Sequence, residues 1–148
     1  MSTEPLTPVQ RDDLRTVASM MIPESAEYRV PGADDTRIQA DILATLGRDT
    51  KQVAAALDLL ARLAGGPLQK LGAARRDVIA AEFRASGGAP AATLVRVVLQ
   101  CYYRDDRVLR SLGLELRPPF PLGHVLEQGD WSLLDPVKAR PPKLRRVP

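Results

Sequence analysis

Residues 90–104, PAATLVRVVLQCYYR, decide how the rest of this chain is read. Leu94, Val98, Cys101 and Tyr102 recur at intervals of four, three and one. That spacing closes on one face of a 3.6-residue helix, whereas a strand would need alternation at every second residue. The stretch is also the most apolar in the chain. It is predicted to be a central helix, with the other elements arranged around it.

Upstream, four more segments carry the same period. TPVQRDDLRTVASMM opens with Thr7 as N-cap, Pro8 at the first helical position and Gln10 placed for a capping box. Leu14, Val17, Ala18 and Met21 share a face, and Pro23 ends the helix. Asp34 or Asp35 can cap a second helix that presents Ile38, Ile42, Leu43 and Leu46, with Gly47 at C′. Asp49 or Thr50 starts a third with Val53, Leu57, Leu60 and Ala64 in register, closed by Gly65-Gly66-Pro67. A fourth, AARRDVIAAEFRAS, directs Val78, Ile79 and Phe83 inward and stops at Gly87-Gly88. Downstream of the central helix, Asp105 or Asp106 recaps the chain into a short helical segment ending at Gly113.

Composition agrees with that reading. Aromatic residues are only 4% of the 148, and Ala and Leu dominate the apolar set, which favours helix over sheet. The expected fold class is all-α: a small bundle of about five helices over residues 1–113, then an extended, Pro-rich C-terminal arm over 114–148. The arm contains Pro118, Pro119, Pro121, Pro136, Pro141, Pro142 and Pro148, which disfavour helix interiors and central strands. At this length a single domain buries a core without disulfides or metals.

Charge and motifs narrow the function classes. The formal charge is +3, but Lys138, Arg140, Lys143, Arg145 and Arg146 all lie in the last eleven residues; without those five charges the remainder carries −2. The basic character belongs to the tail, and a basic nucleic-acid-binding body is not expected. No apolar run approaches the roughly 18 residues of a membrane span, and the N-terminus has neither an apolar signal region nor paired arginines. The expectation is a cytoplasmic chain without membrane insertion, reaching a periplasm only if exported with a partner.

Catalytic signals are sparse. His124 is the only histidine and Cys101 the only cysteine, so no metal-ligand cluster forms around either, and Cys101 reads as a small core hydrophobe. The pairs Asp12-Asp13, Asp34-Asp35 and Asp105-Asp106 lie near helix starts, where capping and the helix dipole account for them. There is no phosphate loop, dinucleotide fingerprint or nucleophile elbow. No catalytic, cofactor-binding or metal-binding residues are expected in this chain.

Partner contact is the better-supported theme. On a helix Tyr102 and Tyr103 point about 100° apart, so one ring enters the core while the other borders a groove or a partner. Pro119, Phe120, Trp131, Leu133 and Leu134 read as docking anchors on a chain stiffened by proline, with Arg145 and Arg146 as rim charges. Disordered segments rarely carry such apolar groups.

LTPVQRDDLRTVASMMIP (6–23), PGADDTRIQADILATL (31–46), LQCYYRDDRVLRSLG (99–113) and RPPFPLGHVLEQGDWSLLDPV (117–137), taken in order, resemble the gluconate 2-dehydrogenase subunit 3 family. The resemblance runs from about Leu6 to Pro136. It implies a noncatalytic small subunit that binds and stabilises a large FAD-dependent oxidoreductase of the glucose-methanol-choline class, with FAD in that partner and none in this chain. A further electron-transfer subunit is compatible with it. Two features depart from the family pattern: the twin-arginine signal of many relatives is absent, and RDDRVLRSLG replaces the Gly-rich turn that follows the paired aromatics in relatives oxidising sugar acids. Two rival readings stand beside this one, a free-standing helical regulator holding nucleic acid through the basic tail, and an enzyme whose site follows no recognisable motif.

Overall fold

The computed structural model describes residues 5–118, 120–123 and 128–140. Pro119, His124, Lys143, Arg145 and Arg146 lie outside the described residues. The fold is all-α, with seven α-helices and no strands among the described residues. The helices are α1 (Pro8–Met21), α2 (Thr36–Thr45), α3 (Thr50–Ala64), α4 (Ala73–Ser86), α5 (Gly88–Tyr102), α6 (Asp106–Ser111) and α7 (Asp135–Lys138). The chain forms two compact units, Met1–Leu116 and Arg117–Pro148, so the helical unit continues three residues past Gly113.

Helix starts follow local chemistry. Thr7 and Gln10 form the reciprocal capping box on α1, with bonds of 3.2 and 2.9 Å, and Gln10 also reaches Asp58 on α3 at 2.9 Å. Asp35, rather than Asp34, caps α2 by accepting from the Arg37 and Ile38 amides. Asp105 caps α6 through the Arg107 amide. Asp49 precedes α3 without capping it; its backbone is already helical, and its carboxylate pairs with Arg96 of α5 at 2.8 Å. Gly65 ends α3 at φ +71°, a conformation costly for any residue with a Cβ.

The core is one cluster in the first unit, with α5 at its centre. Leu94, Val97, Val98, Cys101 and Tyr102 are buried, and α3 packs along α5 with Val53, Ala56, Leu57 and Leu60. Leu14 and Ala18 of α1, Ile38 and Ile42 of α2, and Ile79 and Phe83 of α4 close the remaining sides. Fully burying aliphatic side chains of this size contributes roughly 1.5–3 kcal/mol each, offset by the entropy of ordering the chain.

Four expectations are corrected. Val78 does not turn inward with Ile79 and Phe83: it is 53% exposed, because a helix face that buries residues 79 and 83 turns 78 outward. Leu43 lies at the edge of its helix's apolar face and is exposed. Asp13 is no dipole partner at the helix start; it is buried and accepts a 2.8 Å hydrogen bond from the Leu68 amide, 55 residues away. The arm is not extended throughout: Trp131–Leu134 forms a 3₁₀ turn that runs into the single-turn α7. Pro136 sits in the first turn of α7, where its missing N–H costs no helical hydrogen bond.

Candidate partner interface

The end of α5 fixes the tyrosine pair. Burial of Cys101 and Tyr102 against the core rotates the next position outward, leaving Tyr102 4% and Tyr103 51% exposed. Their rings meet edge to face, with centroids 5.2 Å apart and planes at 89°. Such a pair is favourable beyond its buried area. Burial pushes the Tyr102 hydroxyl above the ordinary phenol range. The pair therefore divides as its helical spacing requires, one ring structural and one available to a neighbour.

In the second unit, Asp130 organises the tryptophan turn. Its carboxylate accepts from the Ser132 hydroxyl at 2.6 Å and the Ser132 amide at 3.0 Å, and these bonds hold its pKa below the usual carboxylate range. Lys138 pairs with Asp135 at 3.2 Å across α7. The turn presents Trp131 at 67% exposure, with Leu133 and Val137 also exposed. Phe120 and Leu122 are more exposed still. Large apolar side chains held outward on hydrogen-bonded turns form the kind of surface that partners cover.

Sequence reading missed a polar junction in the helical unit. Arg107 makes two forked contacts, to Asp35 at 3.2 and 2.8 Å and to Asp105 at 2.9 and 3.0 Å. The two acids therefore cap separate helices and share one guanidinium. The Arg107 bonds hold both carboxyls below their ordinary range, and the two acids raise Arg107. Arg37 also approaches Asp105, at 3.9 Å. The local signal was confined to acids at cap positions; nothing in the sequence ties residue 35 to residue 107.

Cys101 sits beneath a second arginine. Arg104 bonds Asp41 at 2.6 Å and Thr45 at 3.0 Å, with the Cys101 sulfur 3.5 Å from its guanidinium. Burial outweighs that nearby charge and pushes the thiol up, opposite to what a nucleophilic cysteine requires. Among the described residues no His, Cys, Asp and Glu side chains converge in a group able to hold a metal. The helical unit carries an apolar groove of about 440 Å³, lined by Met20, Met21, Phe83 and Val95, with Asp77 and Arg84 on its α4 side. It brings together no pair of groups for acid–base chemistry.

Of the interface residues expected from sequence, Tyr102 is core, while Tyr103, Phe120, Trp131, Leu133 and Leu134 are exposed. No helix among the described residues is long and apolar enough to cross a membrane. No family model, curated protein or solved structure matches the chain.

Proposed function

We propose that this chain is a noncatalytic accessory subunit, which docks on a larger protein through its C-terminal segment. The observation that carries the reading is Trp131 at 67% exposure on a hydrogen-bonded turn, followed by Leu133 and Leu134. A protein with so few aromatics that spends its single tryptophan on an exposed turn gains nothing from it until a partner covers it. Tyr103, Phe120 and the rim charges Arg145 and Arg146 complete the proposed contact set, with Pro119 stiffening the approach. The partner's class rests on the quoted resemblance: a large FAD-dependent oxidoreductase of the glucose-methanol-choline type, acting on alcohols or sugars, with a cytoplasmic complex as the proposed setting.

Coexpression tests this reading directly. A flavoprotein of that class, encoded beside this gene, should copurify with the chain as a yellow complex. Trp131→Ala should weaken the association by roughly thirtyfold, equivalent to about 2 kcal/mol for an interface tryptophan, while the melting temperature of the isolated chain stays within about 1 °C. Separate elution of the two proteins, or an unchanged dissociation constant for the variant, would overturn the proposal. A nucleic-acid complex that weakens steeply with salt would favour the regulator reading instead.

A further inference from the structure

The outward face of α4 has the pattern of an association helix. Ala74, Val78, Ala81 and Ala85 are exposed and recur at intervals of four, three and four, which is the apolar seam of a two-helix coiled coil. This seam lies opposite the face that buries Ile79 and Phe83, so α4 is apolar on two sides. Four exposed charges border it. Asp77 and Arg84 occupy one flank, each directly before a seam residue; Arg75 and Glu82 occupy the other, each directly after one. Among the described residues none of these four side chains has an ion-pair partner in its own chain.

We infer that α4 pairs with α4 of a second copy, antiparallel, about a two-fold axis. Antiparallel pairing of the seams sets Val78 against Ala81 of the second copy and Ala85 against its Ala74. In that register the flanks meet like with like in position but opposite in sign. Asp77 faces the second copy's Arg84 and Arg84 faces its Asp77; on the other flank Arg75 faces the second copy's Glu82, and Glu82 its Arg75. All four cross-pairs are attractive, and two-fold symmetry makes the surface complementary to itself. A parallel pairing instead brings Asp77 against Glu82 of the second copy, which is repulsive. The charge pattern thus selects both the occupant and its direction. Alanine at three of the four seam positions lets the two backbones approach closely. The seam is only two heptads long, so the association belongs to the weak, concentration-dependent class.

The test is sedimentation equilibrium of the full chain and two charge variants, alone and mixed. The wild type should dimerise reversibly, more weakly as salt rises. Asp77→Arg and Arg84→Asp each turn two of the four cross-pairs repulsive and should weaken dimerisation about tenfold. Mixed in equal amounts, the two variants present arginines at both positions on one chain and aspartates at both on the other, so they should form a heterodimer at least as tight as the wild type. The mixture uses the same folded chains as the separate runs, so a lower melting temperature in either variant does not account for the rescue. A wild type that stays monomeric up to about 1 mM, the weakest association such a contact is expected to have, overturns the inference. So does a dimer indifferent to both substitutions, or a mixture that fails to associate.

Discussion

Replacing Arg107 with methionine keeps an unbranched stem and removes the guanidinium whose charge joins the caps of α2 and α6. Asp105 then stays buried and keeps its bond from the residue-107 amide, with Arg37 at 3.9 Å as the nearby cation, and Asp35 keeps its amide bonds but loses a forked partner. Breaking a buried ion pair by removing one member costs about 3–5 kcal/mol. Arg107 is itself about a third exposed, so water screens the lost attraction, and the expected cost falls to roughly 2–3 kcal/mol. For a helical unit of this size that lowers the melting temperature by about 8–12 °C. Urea titration followed by circular dichroism measures the loss at constant slope. Arg107→Lys should fall between the two, because an ammonium cannot fork to both carboxylates. The junction also sets an acid limb. Asp35 and Asp105 have folded pKa values below the 3.8 of the unfolded chain, so their contribution is complete above that value and is lost as pH falls through the folded ones. Arg107→Met should flatten that limb. A loss under about 0.5 kcal/mol, within the range of an ordinary surface substitution, would refute the view that the junction holds the two helices.

Asp13 should behave in the opposite sense. Burial raises its pKa above 3.8, against the lowering effect of the Leu68 amide, so its contribution to stability is greatest below the unfolded pKa and declines as pH rises through the folded one. Asp13→Asn keeps an acceptor for that amide and should abolish the decline, whereas Asp13→Leu orphans the amide and should cost about 1–3 kcal/mol; paired stability measurements at pH 4 and pH 7 check both. Gly87→Ala places a methyl against Ala91 and 2.6 Å from the Phe83 carbonyl oxygen, at the buried turn between α4 and α5, and should cost about 1–3 kcal/mol in a urea titration.

The helices themselves were legible because their information is local. A Thr-Pro-x-Gln start, glycines at helix ends and apolar residues at the 3.6 period each act within a few residues. The capping box, the buried face of α5 and the left-handed Gly65 accordingly appear where the sequence places them. Trp131 and Leu133 stood out for the same reason, as apolar groups after the last long periodic segment, and both are exposed.

Tertiary structure decided what depends on distance through space. The acids at 35 and 105 looked alike as caps; only the fold brings Arg107 between them. Asp13 resembled an ordinary acid near a helix start until the turn at Leu68 packed over it and removed it from water. Val78 carried the same apolar signal as Ile79, and the sequence alone could not rank them. A helix with apolar residues on two faces has two admissible orientations, and the packing of α3 and α5 against Ile79 and Phe83 selects one. Local chemistry thus determined which segments coil and where they stop. The orientation of each helix, and with it which charges are paired and which apolar faces remain open, was settled by packing, because a side chain's burial depends on neighbours that lie far away in the chain.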